Sequence, residues 1–272
     1  FFDSPPESER SKILTIHATY RDALQFLDVE YPARMEALRD VDPVYAQIYA
    51  DGDWGVWDRE SLFARHFSEK IHVLPVGIKA SNQHPLYLSF DFNVNNTCTL
   101  YQFSKNAPGQ LHFATINILR EYYIGDLEEL CKTIKLEYPK LIYVINGDPA
   151  GNNRSSTSKD NLSAYQIIGN VLNISDMNMQ VMPSAPSHLA TKIISDLVFR
   201  KCKIQIAGPY CKELIADFKE AKLDRLVSLD PWKKKNPNRS HWLDSWRYFC
   251  FGNFADIAAN YNLEKFNGQL LN

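Results

Sequence analysis

Three aspartates stand where a divalent metal could be held. Asp91 ends the apolar run LYLSFDFN, Asp148 follows a second such run in LIYVINGDPAG, and Asp244 lies in the aromatic run HWLDSWRYF. Two strand-borne carboxylates and one helix-borne carboxylate, far apart in sequence, are the donor set from which a two-metal phosphodiester site is assembled. Mg²⁺ takes a few carboxylates with waters and substrate phosphate rather than an all-protein cage, so three such residues suffice. His241 precedes Asp244 by three residues, so a helix puts both on one face, with Arg247 or Tyr248 a turn further on. There the imidazole would steer a carboxylate or carry a proton near the leaving group. Simpler readings stand beside these: Asp91 as a solvent-facing strand residue, Asp148 as a turn former between Gly and Pro, and His241 as a helix cap. Trp242, Trp246 and Phe249 read as core.

Two basic stretches adjoin the motifs. GNNRSSTSKDN carries Arg154 and Lys159 among small hydrogen-bond donors, and PWKKKNPNRSH places Lys233, Lys234, Lys235 and Arg239 before the third motif. Both suit phosphate oxygens, and both also read as solvated loops. With 272 residues and a net charge of −2, the chain as a whole offers no electrostatic case for nucleic acid, so any such binding must be local. No apolar run approaches the roughly 20 residues that span a bilayer, which excludes a helical membrane protein. No leader pattern is visible, and the start at Phe1 without Met leads us to expect a piece of a longer polypeptide. The five cysteines lack CxxC spacing, which predicts reduced, buried thiols in an intracellular protein. No GxxxxGK[ST], GxSxG, HExxH or dinucleotide fingerprint occurs, so no ATPase activity is expected of this stretch.

The elements must then position the aspartates. Residues 11–57 read as helical, with ALQFLDVEYPARMEALRDV and DPVYAQIYADG amphipathic, Pro43 at a first helical turn and GDWGVWD closing the segment. Strands are predicted at 86–93, 97–104 and 111–124, joined by turns at Asn95-Asn96 and KNAPGQ. Asp126 should cap a helix burying Leu127, Leu130 and Ile134 before Pro139. Further strands are expected at 141–145, 177–182 and 203–207. Helices are expected at 161–172, at 187–201 with Leu189, Ile193 and Leu197 on one face, at 208–222 and at 240–251. A meander followed by alternating elements implies an α/β protein with a mixed sheet, antiparallel on one side and parallel on the other, flanked by helices on both faces. This order matches the ribonuclease H-like fold, whose neighbouring first and fourth strands would set Asp91 beside Asp148.

LYLSFDFN, INGDPAGNNRSS and HWLDSWRYF, in that order, resemble the nuclease domain of the large terminase subunit of tailed bacteriophages. Ser245 stands where that family commonly has Ala. TIHATYRDALQFLD and YAQIYADGDWGVWD resemble the end of the family's ATPase domain. The resemblance implies a division into residues 1–70, ATPase end and linker, and residues 71–272, the nuclease. It implies an endonuclease that cuts concatemeric viral double-stranded DNA during packaging, using two Mg²⁺ or Mn²⁺ ions. Asp91 would bridge them, and Asp148 and Asp244 would hold one each. Partners would be DNA and, in the full-length protein, the ATPase domain, the small terminase subunit and the portal, with no membrane. The setting would be the cytoplasm of an infected bacterium. Rival expectations are a resolvase- or transposase-type nuclease on the same fold, and a non-catalytic module docking DNA or the portal.

Overall fold

Alternation of side chains across LYLSFDF decides the centre of the fold. In a strand successive side chains point to opposite faces, so Leu86, Leu88 and Phe90 enter one core while Tyr87, Ser89 and Asp91 face the other. In the computed structural model, which describes residues 16–41, 50–52, 61–92, 96–106, 112–153, 161–224, 228–236 and 239–269, this strand sits inside a six-stranded sheet. The chain divides into two compact units, residues 1–59 and 60–272.

In the first unit, Thr19 caps a 3-10 helix, Tyr20–Phe26, accepting from the Arg21 amide while the Asp22 carboxylate accepts from the Thr19 amide at 2.7 Å. Helix α1, Glu30–Val41, follows, and its Glu36 pairs with Arg21. The expected continuous helical pattern is thus broken at 27–29. Pro43 and most of the GDWGVWD segment lie outside the described residues.

The second unit opens with the short helix α2 (Glu69–His72) and strand β1 (Val73–Leu74), then the meander β2 (Leu86–Phe92), β3 (Asn96–Lys105) and β4 (Ala114–Ile124). Helix α3 (Leu127–Glu137) follows, capped by Asp126 as expected, with Leu127, Leu130 and Ile134 buried. Next come β5 (Tyr143–Gly147), α4 (Ala164–Leu172), α5 (His188–Lys201), β6 (Cys202–Ala207), α6 (Lys212–Glu220), α7 (Asp230–Lys235) and α8 (His241–Gln269). The sheet order is β1-β6-β4-β3-β2-β5. The meander pairs antiparallel, whereas β2–β5, β4–β6 and β1–β6 pair parallel. Helices α3 and α4 cover the Leu88 face, and α5, α6 and α8 cover the face bearing Asp91. The imperfect alternation of β4 has a local cause: a bulge where Leu100 pairs Arg120 but Tyr101 pairs Ile118, which sets Leu119 out of step.

Several elements differ from the sequence pattern. Residues 177–182 do not form a strand. A 3-10 turn at Asp176–Asn178 leads to a single parallel bridge, Ile145 to Met179, after which Pro183 and Pro186 withhold amide donors. Helix α5 buries Thr191, Lys192, Ile194, Ser195 and Val198, leaving Leu189 39% and Ile193 50% exposed. The polar residues go inward because each finds a partner there. Thr191 Oγ1 accepts from Arg247, Ser195 Oγ accepts from Trp246 Nε1 at 2.8 Å, and Lys192 Nζ donates to the Leu62 carbonyl at 2.6 Å. The basic run at 233–235 is not a loop: it forms α7, with Pro231 in the first turn and Trp232 packed on the core.

Candidate active site

Strand pairing brings the first two aspartates together. Phe90 pairs with Gly147 in the parallel β2–β5 ladder, and the Asp148 amide donates to the Phe90 carbonyl at 2.9 Å. Asp91 and Asp148 therefore follow matched positions at the carboxyl ends of adjacent parallel strands, where ligands of α/β sheets bind. Gly147 makes this approach possible. Its φ is +145°, and a Cβ there would lie 2.4 Å from the Phe90 carbonyl oxygen. Asp148 also begins a turn, its Oδ1 accepting from the Ala150 amide at 2.9 Å, while Tyr165 donates its hydroxyl to the Asp148 carbonyl. A Cβ at Gly151 would strike the Phe92 ring, so the Gly-Asp-Pro-Ala-Gly spacing follows from close packing.

Helix α8 delivers the third aspartate. Every residue from Trp242 to Cys250 is buried. Two reciprocal hydrogen bonds pin its first turns to β2: Ser89 Oγ donates to the Ser245 carbonyl at 2.7 Å, and Ser245 Oγ donates to the Ser89 carbonyl at 2.9 Å. Asp217 of α6 accepts from the Leu243 amide at 3.3 Å and from Arg239 Nε at 3.0 Å. The result sets His241 over Asp91, with Nδ1 donating to Oδ2 at 3.0 Å.

The electrostatics follow from burial. Asp91 is 2% exposed, and loss of solvent raises its pKa to about 6. The His241 hydrogen bond opposes that rise, and the charges of Asp244 and Asp148 add to it. His241 is shifted upward, chiefly by its bond to Asp91. Tyr248, whose pKa is raised first by burial, also feels Asp244, Asp148 and Asp91, so the three carboxylates share one region. Asp244 behaves differently. Burial would raise its pKa, but Arg247 and Lys233 together outweigh burial and lower it. Arg247 Nη1 bonds its Oδ1, and Lys233 Nζ lies 2.5 Å from its Oδ2. Arg247 is itself fixed by Thr191 Oγ1 at 2.9 Å and the Pro186 carbonyl at 3.1 Å.

A hard cation suits this donor chemistry in part. Asp91 and Asp148 offer carboxylates in a shared negative field that a divalent ion would relieve. Asp244, as placed, has both oxygens engaged, and no three His, Cys, Asp or Glu side chains among the described residues form an ion-holding group. A groove of about 440 Å³ lies elsewhere, lined by Glu69, Leu74, Lys212 and Ile215 among others, and holds none of these residues.

The other candidate residues disperse. Lys234 and Lys235 are exposed, whereas Lys233 turns inward. Arg239 is committed to Asp217 and reaches Glu220 at 3.4 Å. Arg154 and Lys159 lie outside the described residues. Residues that the motifs did not mark are Ser89, Thr191, and Lys233 as an inward-facing cation. No signal in the sequence separated Lys233 from its neighbours; packing sets its inward direction, four residues after the fully buried Leu229.

No family model matches this sequence, and no curated protein matches it. Among solved structures, it is similar to the large terminase from a thermophilic bacteriophage, with 17% identity and a TM-score of 0.47, over 91% of this chain and 58% of that one. The complexes of that terminase with ADP (17% identity, TM-score 0.45, 90% and 57% coverage) and with ATP-γ-S (16%, 0.46, 90% and 57%) are similar to the same extent. The chain thus spans less than two thirds of the terminase it resembles, and the similarity assigns no role to any residue here.

Proposed function

We propose that the unit 60–272 is a metal-dependent endonuclease of ribonuclease H-like fold that cuts viral double-stranded DNA during packaging, with residues 1–59 derived from the end of an ATPase domain. One juxtaposition carries this reading: Asp91 and Asp148 at the carboxyl ends of adjacent parallel strands, with His241 and Asp244 brought to the same region by one helical turn. Mg²⁺ or Mn²⁺ held by these carboxylates would supply Lewis-acid assistance and an activated water for phosphodiester hydrolysis. The chain's own residues supply position and charge. Asp91 is held by His241, whose Nδ1 proton keeps the carboxylate oriented and ionised. Asp148 is held by its turn, and Asp244 by Arg247. Lys234 and Lys235 meet backbone phosphates rather than base edges, so cutting shows little sequence preference. In the full-length protein the partners would be an ATPase domain, the small terminase subunit and the portal, in the cytoplasm of the infected bacterium.

A second reading has its own observation. With Asp244 neutralised by Arg247 and Lys233, the carboxylates would serve structure in a module that docks DNA or the portal. Plasmid DNA incubated with the chain and Mn²⁺, without nucleotide, separates the two. Wild type should nick or linearise it, and Asp91→Asn should not, with an equal or higher melting temperature. Equal cleavage by both proteins would remove Asp91 from the active site and the nuclease reading with it.

A further inference from the structure

Asp244 is held by two cations of opposite character. Arg247 has a side chain only 3% exposed and is tied to Thr191 and Pro186 as well as to Asp244, so it cannot leave without breaking three hydrogen bonds. Lys233 has a side chain 27% exposed and sits on the six-residue helix α7. Its ammonium is a point charge on a flexible stem, readily hydrated and readily replaced. It lies on the one Asp244 oxygen, Oδ2, that Arg247 leaves over. Lys234 and Lys235, next in the chain, are exposed to solvent.

We infer that Lys233 is a built-in competitor of the divalent ion at Asp244. Its ammonium occupies the cation position beside Oδ2, and a metal enters there only by displacing it. The inference rests on the metal-dependent reading above and accounts for the engaged state of the third carboxylate: the lysine holds the oxygen that an ion would take.

The test is metal binding by the full chain, read by electron paramagnetic resonance of free Mn²⁺, without DNA. Lys233→Met keeps the aliphatic stem and removes the charge, and should bind Mn²⁺ at least about tenfold more tightly than wild type. Lys233→Arg should bind no more tightly than wild type. Asp91→Asn separates the two ideas: if it binds Mn²⁺ as wild type does, the metal-site reading fails and this inference falls with it. If Asp91→Asn loses Mn²⁺ while Lys233→Met gains no affinity, only the competitor is overturned. Wild type alone provides a second measurement should Lys233→Met fail to fold. Acylation of Lys233, followed by mass spectrometry relative to Lys234 and Lys235, should rise several-fold when Mn²⁺ binds. Unchanged acylation with Mn²⁺ bound would overturn the displacement.

Discussion

Asp244 and Arg247 are both buried, and a buried charge survives only with its partner. Replacing Arg247 with Met leaves Asp244 with one cation and deprives Thr191 Oγ1 of its donor. We expect a loss of about 3 kcal/mol in urea unfolding, and a loss near zero would mean that Lys233 alone balances the carboxylate. Glu121 presents a different, partly buried acid. Burial raises its pKa to about 7, against the opposing pull of the Glu213 and Leu214 amides whose hydrogen bonds it accepts at the start of α6. Because the folded-state value exceeds the ordinary one of 4.5, the stability that this group contributes is complete below about 4.5 and lost as pH rises through about 7. Glu121→Gln should flatten the fall in unfolding free energy between those values, by a difference on the order of 1–3 kcal/mol. Parallel pH profiles for the two proteins would show that Glu121 titrates normally. At this scale much of the candidate site was legible. Asp91, Asp148, Asp244 and His241 were visible as acidic and imidazole residues punctuating apolar runs. The inward turn of Lys233 was not, because three consecutive lysines look alike until packing chooses among them.

Elements are joined at this site by main-chain groups as much as by side chains. Each hydroxyl of the Ser89–Ser245 pair donates to the other residue's backbone carbonyl, so the two bonds can be removed one at a time. Ser89→Ala and Ser245→Ala should each cost about 1 kcal/mol, and the double variant about the sum. A coupling above about 1 kcal/mol in the double-mutant cycle would show that they act as a unit instead. Ser245 is the position where the terminase pattern commonly has Ala. Here its hydroxyl fixes α8 to the strand two residues before Asp91. Strands β2 to β6 could be read from alternation and turn residues, whereas β1 was missed and 177–182 was over-read, and the neighbouring β2 and β5 were expected from the ribonuclease H-like order. The packed face of α5 could not, since apolar periodicity ignores polar residues that find buried partners, as Thr191, Lys192 and Ser195 do. Nor could α7, where Pro231 in the first turn and the anchoring of Trp232 make a helix of a run that composition alone assigns to solvent.

For the whole molecule, a net charge of −2 means that any attraction to DNA would be local and strongly screened by salt. Lys234→Ala with Lys235→Ala should leave the fold intact and flatten the dependence of log affinity on log salt by up to about 1.8, roughly 0.9 for each phosphate no longer neutralised. An unchanged slope would return α7 to an ordinary solvated surface. Adding Arg239→Ala should instead lower the melting temperature, because Arg239 pairs with the fully buried Asp217. The unit 60–272 also shows an unequal division of freedom. The beginning of α8 is enclosed by the core and carries His241 and Asp244, whereas α7 is short, basic and partly exposed. Sequence drift at Trp242–Cys250 is penalised by the core before any effect on activity, while drift along the exposed side of α7 is nearly free of folding cost. Divergent relatives should therefore keep the acidic framework and vary the basic helix, so that ionic preference can evolve without rebuilding the fold.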